Sequence, residues 1–289
     1  MKEWIGRWPN AKKYFVYLDG LEFSGISTNS PEYHLRVNQW LLFWERTIRE
    51  MGVAPEKFSI LLIDEPNNEL EWRETLDFAQ SVRDSGTDFR VFTNPTESLW
   101  KTTSALPTGY VGEIAINLRD VLETGILSWP TSLEDFQGER WVYSTFSDVR
   151  NSDPYYYNLI QAWRTFVLHG SGSGFWSFVD SGGALAWDDL ESNGTNSSPL
   201  YFDGATVFPS KHLVAIQEGQ NDFAYLKALE NVSRSRSSDG DLARSLLAEI
   251  RTWIEGLDDT GRVWNVDRER SQADEFRRRM FDLLNRDAR

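Results

Sequence analysis

The chain of 289 residues contains no cysteine and only three histidines. Without cysteine, disulfides, thiol catalysis and thiolate metal sites are excluded. The histidines, His34, His169 and His212, lie far apart, so neither a zinc site of the usual histidine spacing nor a serine–histidine catalytic pair has much support. We therefore expect no metal site, and nothing in the sequence indicates an organic cofactor.

Positive charge and long apolar runs are also scarce. The chain has 30 basic against 44 acidic residues, a formal charge of -14 that repels a phosphate backbone, so we expect no nucleic-acid partner. No apolar run approaches the roughly 20 residues of a membrane span, and the start of the chain has no apolar core like that of a secretory signal. We expect a soluble globule without a membrane span, cytoplasmic or, if N-terminally truncated, secreted.

Aromatic residues, in contrast, are abundant, with 13 tryptophans, 10 tyrosines and 17 phenylalanines. Flat amphipathic rings suit the apolar faces of sugars, but they also fill ordinary cores. The composition alone therefore favours a carbohydrate site only weakly.

Strand-like and helix-like segments alternate along the chain. Short apolar runs predict strands at residues 13–18, 58–63, 89–93, 113–118, 140–145 and 174–179. Apolar residues at helical spacing predict helices at residues 31–51, 70–84, 155–169, 209–230, 241–256 and 267–287. Strands that alternate with helices indicate parallel pairing, and runs that are apolar on both faces indicate a sheet covered on both sides.

The predicted fold is α/β, a (β/α)8 TIM-type barrel whose first two strands are missing or irregular, with additional C-terminal helices. No glycine-rich dinucleotide loop follows a predicted strand, and several strands end in polar residues that a barrel would gather on one face. Residues 1–230 are predicted to form the catalytic barrel, and residues 231–289 a linker and helices packed on it. Because an incomplete barrel exposes strand edges, we expect a homo-oligomer or a missing N-terminal domain.

Two adjacent acids, Asp64 and Glu65, follow the apolar strand at residues 58–63. Neighbouring side chains on a strand point to opposite faces, so only a strand terminus or a bulge turns both acids toward one cleft, and Pro66 ends the strand there. Two carboxylates buried together would leave one protonated beside an ionised partner, which is the division of labour that glycoside hydrolysis uses. A structural alternative is that Asp64 caps the next helix and Glu65 pairs with Arg73.

Several tracts resemble the catalytic barrel of glycoside hydrolase family 123 over about residues 13–230. They are LLIDEP, which contains the acid pair, then WVY at residues 141–143, GFW at residues 174–176, and a helix that carries Gly219, Asp222 and Tyr225. Asp222 and Tyr225, three residues apart, are themselves predicted to form a structural hydrogen-bonded pair. The β-sandwich that usually precedes such barrels is absent from the chain.

The resemblance implies hydrolysis of terminal β-linked N-acetylhexosamine, above all N-acetylgalactosamine, in which the 2-acetamido oxygen of the sugar is the nucleophile. Glu65 would then be the general acid and base, and Asp64 would orient the acetamido group. Other glycosidase and sugar-binding functions stay open, because many proteins of this type have no assigned activity. The remaining candidates for substrate binding are Tyr143, Trp141, Trp176, Asn117, Asn67, Asp180 and Asp19.

These further candidates each have a structural alternative. Tyr143 and Trp176 are predicted to hold the acetamido oxygen and to stack on the sugar ring, yet residues of these types in strands more often belong to the core. Trp141 shares a face of its strand with Tyr143, so both point to the lumen or both to the helices. Asp180 and Asp19 either bind a hydroxyl or cap a loop, and either one would be the nucleophile of an enzyme with a covalent intermediate.

Overall fold

The computed structural model describes residues 2–23, 25–26, 30–102, 111–122, 127–130, 133, 135–145, 153–177, 198–202, 205–257 and 266–286. The helices are α1 Lys2–Arg7, α2 Pro31–Glu50, α3 Glu69–Asp84, α4 Glu97–Thr102, α5 Leu118–Leu122, α6 Ile160–Val167, α7 Lys211–Ser233, α8 Ser238–Glu255 and α9 Val266–Leu284. The strands are β1 Tyr14–Tyr17, β2 Phe58–Leu61, β3 Arg90–Thr93, β4 Glu113–Asn117, β5 Glu139–Ser144, β6 Gly172–Phe175, β7 Leu200–Phe202 and β8 Val207–Pro209. A 3₁₀ turn leads into β2, and a π-helical turn at Tyr155–Leu159 leads into α6.

Strands β1 to β6 form one parallel sheet in chain order, β1-β2-β3-β4-β5-β6. The α/β class is therefore confirmed, but the (β/α)8 barrel is wrong, because the described residues give this sheet six strands where a closed barrel needs eight. The physical reason lies in the chain after β6. There β7 and β8 pair antiparallel with each other, and α7, α8 and α9 then follow without a strand among the described residues.

The two faces of β1 differ in burial, whereas β2 and β4 are buried on both faces. Phe58, Ile60, Val91 and Ile114 are buried, as expected where helices cover a parallel sheet. The opposite face of β1 carries Phe15 and Tyr17, which stay 42% and 53% exposed. This face is referred to below as the inner face.

The chain divides into two compact units, and each is built from more than one stretch of sequence. The first unit comprises Met1–Asn117 with Trp129–Trp141. Within it, α2 begins where Ser30 accepts a hydrogen bond from the backbone of Tyr33, and α3 packs against both α2 and β3. These contacts cover the buried face of the sheet.

The second unit comprises Leu118–Ser128 with Val142–Arg289. Its core lies among α6, α7, α8 and α9, where Trp163, Leu226, Ile250 and Met280 are fully or almost fully buried. Burying a side chain the size of Leu226 or Ile250 stabilises the fold by about 1.5–3 kcal/mol each.

Helices α6 and α7 approach closely at Gly219, because a Cβ atom there would lie 3.2 Å from Ala162 Cβ and from the Leu159 carbonyl oxygen. The predicted boundary at residue 230 falls within the second unit, where α7 continues to Ser233 and α8 begins at Ser238. Of the predicted linker, residues 231–240, the first three and the last three residues are therefore helical. In the part of the chain that the structure describes, no helix is both long and apolar enough to cross a membrane.

Candidate active site

Asp64 and Glu65 lie in a bend that begins after β2 ends at Leu61. The strand is two residues shorter than the sequence predicts, so the acids belong to the loop. Glu65 has a φ of 48°, in the left-handed region, which costs a non-glycine residue about 1–3 kcal/mol. This conformation breaks the alternation that would otherwise send neighbouring side chains to opposite faces.

Asn94, the residue after β3, binds both acids of the pair. Its Nδ2 donates to Asp64 Oδ1 over 2.7 Å, and its Oδ1 accepts from the backbone N–H of Glu65 over 3.1 Å. Asn94 is itself only 7% exposed. One buried amide therefore fixes the Asp64 side chain and the strained backbone of Glu65 together.

The loops that follow β2 and β3 are fastened to each other beyond this amide. Thr96 donates its backbone N–H to the Pro66 carbonyl over 3.1 Å, and Ser98 Oγ donates to the Asn67 carbonyl over 3.0 Å. Pro66 is buried, whereas Asn67 is exposed. Several hydrogen bonds thus fasten the loop that carries the acid pair to the loop after β3.

The structural alternative for the two acids does not apply, because other residues occupy those roles. The N-terminal cap of α3 is Asn68, whose side chain accepts from the backbone N–H of Glu71 over 3.0 Å. Arg73 forms its ion pair with Glu69, one turn earlier on the same helix. Asp64 therefore does not cap α3, and Arg73 pairs with Glu69 rather than with Glu65.

Tyr17 and Asp19 lie beside the acid pair at the end of β1. The Tyr17 hydroxyl donates to Asp19 Oδ1 over 3.0 Å, and the backbone N–H of Gly20 donates to the Leu62 carbonyl over 2.8 Å. The pKa of Tyr17 is raised, first by its hydrogen bond to Asp19, then by burial and by the negative charges of Asp19 and Asp64. The negative charges of Asp19 and Asp64 therefore both act on the hydroxyl of Tyr17.

The acid pair is more open than expected from a shared buried hollow. Asp64 is exposed and Glu65 is half-buried. Among the described residues, one surface hollow of about 460 Å³ lies beside α2 and another of about 420 Å³ lies between α2 and α3, and neither is lined by Asp64 or Glu65.

The other predicted site residues fall in different places. In the first unit, Asn117 is half-buried at the end of β4, and the ring of Trp141 packs on Phe15 at 5.5 Å between centroids. In the second unit, Tyr143 is half-buried and Trp176 is 57% exposed. Asp180 lies outside the described residues.

Sequence reasoning missed a charged cluster at the opposite end of the strands. Lys13 bridges Glu113 and Glu139, 2.8 Å from the latter, and Arg90 lies 3.5 Å from Glu139. Glu113 is completely buried, and its Oε2 has no hydrogen-bond partner. Each of these residues begins or precedes a strand, a position that the apolar strand pattern does not reveal.

Sequence reasoning also missed the roles of Asn94 and Tyr17. The sequence pattern predicts Asn94 only as a polar residue directly after a strand, and Tyr17 only as a member of an apolar strand. Asn94 directly follows β3, the next strand after the one that precedes the acids. Because consecutive parallel strands are commonly neighbours, this position could have predicted a contact between Asn94 and the acids.

Among the described residues, no group of three or more His, Asp or Glu side chains is arranged to hold a metal ion. A scan against protein-family models and a search of curated proteins found no match for the chain.

Proposed function

We propose that this protein is a glycoside hydrolase that removes terminal β-linked N-acetylhexosamine and uses Asp64 and Glu65. The observation that carries the proposal is that Asn94 donates a hydrogen bond to Asp64 and accepts one from the Glu65 backbone, which holds two adjacent acids in a strained loop. Strain of this kind is concentrated at functional sites, where the surrounding structure maintains it. The capping and ion-pair roles that would explain the acids otherwise belong to Asn68 and Glu69.

The reaction follows the substrate-assisted scheme. The acetamido oxygen of the sugar attacks the anomeric carbon while Glu65 gives its proton to the glycosidic oxygen, and the aglycone leaves as an alcohol. Asp64 accepts a hydrogen bond from the acetamido N–H and stabilises the positive charge that develops on the oxazolinium ring. Glu65 then takes a proton from the water that attacks the anomeric carbon, which opens the ring and restores the starting protonation.

The choice of N-acetylgalactosamine rests on the family resemblance, and the exposed aromatic side chains near the acids suit a sugar. Tyr17 and Phe15 offer exposed rings on the inner face of β1. The hydroxyl of Tyr17 and the carboxylate of Asp19 offer polar groups for sugar hydroxyls.

The test is release of p-nitrophenol from p-nitrophenyl β-N-acetylgalactosaminide and the matching glucosaminide. We expect Glu65→Gln to lower kcat/KM roughly 10²–10⁴-fold, because it removes the proton donor. Glu69→Gln is the matched control, since Glu69 is exposed and pairs only with Arg73 in its own helix. A folded wild-type protein that cleaves no β-hexosaminide would refute the proposal.

Two other functions have specific observations behind them. The exposure of Asp64 also suits a protein that binds sugar without turnover, and calorimetric binding that is equal in wild type and Glu65→Gln, without cleavage, would select it. Asp19 and Asp64 both act electrostatically on Tyr17, and a second carboxylate in this region also suits a carboxylate nucleophile. Cleavage of p-nitrophenyl β-galactoside, which has no acetamido group, and its loss in Asp19→Asn would select that mechanism.

A further inference from the structure

The orientation of the Asn94 amide is set by the groups around it. The backbone N–H of Glu65 can only donate, so the atom of Asn94 that faces it at 3.1 Å is the carbonyl oxygen. The NH₂ group then faces Asp64 Oδ1, which must accept at 2.7 Å. Oδ1 of Asp64 therefore accepts a hydrogen bond from Asn94, and Oδ2 is the oxygen that faces a substrate.

The same amide holds the conformation that aims Glu65. A positive φ at a glutamate is unfavourable without local compensation, and the hydrogen bond from the Glu65 backbone N–H to Asn94 supplies it. Asn94 is nine-tenths buried and directly follows β3, so its position is set by the sheet. Residues held by rigid elements position catalytic groups more accurately than residues on free loops.

From this geometry we infer that Asn94 is a positioning residue that assigns different roles to the two acids. It keeps Asp64 as the hydrogen-bond acceptor for the substrate and aims Glu65 as the proton donor. The inference rests on the proposed function, in which the hydrogen bonds of Asn94 are supporting evidence but Asn94 takes no part in any step of the reaction.

The inference is tested with two substitutions at Asn94. Asn94→Ala removes both hydrogen bonds, and we expect kcat to fall roughly 10–100-fold with KM changed less than about threefold, since misplaced catalytic groups affect the transition state more than binding. Asn94→Asp keeps an acceptor for the Glu65 N–H but replaces the donor to Asp64 by a second carboxyl.

Asn94→Asp also gives a readout that a purely structural role would not. A protonated carboxyl donates from one oxygen and accepts at the other, as the amide does. Two carboxyls that share a site take up a proton more readily than one alone. We therefore expect the ratio of Asn94→Asp to wild-type kcat to rise at least about tenfold as the pH falls from about 7 to about 5.

Thr96→Val is the matched control in the same loop. It removes the hydroxyl bonds to the Pro66 carbonyl and to Ser98 Oγ but keeps the backbone N–H bond to Pro66, and neither lost bond involves the acids. We expect its kcat to stay within about twofold of wild type. A pH-independent ratio for Asn94→Asp, or an equal loss in Thr96→Val, would overturn the inference.

Hydrogen exchange separates this inference from the proposed function. If the wild-type protein cleaves no hexosaminide, the proposed function is refuted. The exchange rate of the Glu65 backbone amide then still tests whether Asn94 holds the acid pair. We expect that amide to exchange roughly tenfold faster in Asn94→Ala while the Thr96 amide is unchanged. Unchanged exchange at Glu65 would show that Asn94 does not hold the acid pair.

Discussion

The indole N–H of Trp163 donates to Asp222 Oδ2 over 3.0 Å, and both side chains are almost completely buried. Arg277 completes the site with two hydrogen bonds of 2.7 and 2.8 Å to the same carboxylate. Asp222 thus links α6, α7 and α9 within the second unit. The sequence predicts a pair between Asp222 and Tyr225, but the ring of Tyr225 lies against Phe281 instead.

The first prediction is that Arg277→Met destabilises the protein by about 3–5 kcal/mol, because it leaves the buried carboxylate of Asp222 without its cation. Urea unfolding monitored by tryptophan fluorescence measures the change. Arg278→Met is the control and should cost less than about 1 kcal/mol, because the ion pair of Arg278 with Glu275 is exposed. Equal losses in the two variants would contradict the assignment.

The second prediction concerns the buried charges of the first unit. Lys13→Met should destabilise the protein by about 3–5 kcal/mol, because Glu113 is fully buried and its other cation, Arg90, lies 3.9 Å away. The double variant Lys13→Met with Glu113→Leu should recover most of that loss, since no unpaired carboxylate remains. Arg73→Met, which breaks an exposed pair, is the control in the same unfolding assay. A double variant less stable than Lys13→Met alone would contradict this prediction.

The third prediction is a loss of stability as the pH falls, caused by His169. Its pKa is lowered, first by burial and then by the positive charge of Arg251, whose Nη2 lies 3.0 Å from His169 Nε2. In the unfolded chain the imidazole takes up a proton below about pH 6.5, while the folded protein resists protonation. The stabilisation is therefore complete above that pH and is lost as the pH falls toward the lower pKa of the folded state.

Urea midpoints at about pH 7.5 and about pH 5.5 measure this dependence. His169→Asn should reduce it, because asparagine cannot take up the proton and tolerates the positive φ of 56° at this position. Arg251→Met should reduce it in part by removing the repulsion. Equal pH dependence in wild type and His169→Asn would rule out His169 as the source.

The fourth prediction concerns Tyr17 and does not depend on activity. Asp19→Asn should lower the pH at which the Tyr17 phenol ionises, because it removes the carboxylate that mainly raises this pKa. Alkaline titration followed by near-ultraviolet absorbance reports the change, and subtraction of Tyr17→Phe isolates this residue. Asp64→Asn should have a smaller effect in the same direction, because the charge of Asp64 contributes least. An unaltered titration in Asp19→Asn would contradict the geometry at the end of β1.

The sequence predicted the order of strands β1 to β6 and the long helices, because their patterns are local. Apolar runs such as residues 58–61 and the helical spacing in α2 depend only on neighbouring residues. The number of strands needed to close a barrel is a global property, and the prediction of an eight-stranded barrel was wrong, because the described sheet has six strands. The hairpin of β7 and β8 is apolar, but each strand has only three residues, fewer than the run of about four to eight that predicts a strand.

The candidate site was predictable only at its acids. Asp64 and Glu65 were visible because adjacent carboxylates rarely end an apolar run. The hydrogen bonds of Asn94 and Tyr17 join different loops, and a single sequence does not show which loops meet. Tyr143 and Trp176 stay predictions, as their position relative to the acids is untested.

The discontinuous first unit has a consequence for how the protein is made and dissected. Trp141, near the end of its second stretch, packs on Phe15 near the beginning of its first. A nascent chain therefore cannot complete this unit until the ribosome has released both stretches and the segment between them. For the same reason, a shortened version cut after residue 117 would keep the contact of Phe15 with Phe92 but lose its contact with Trp141, so dissection by limited proteolysis or cloning should keep residues 129–141.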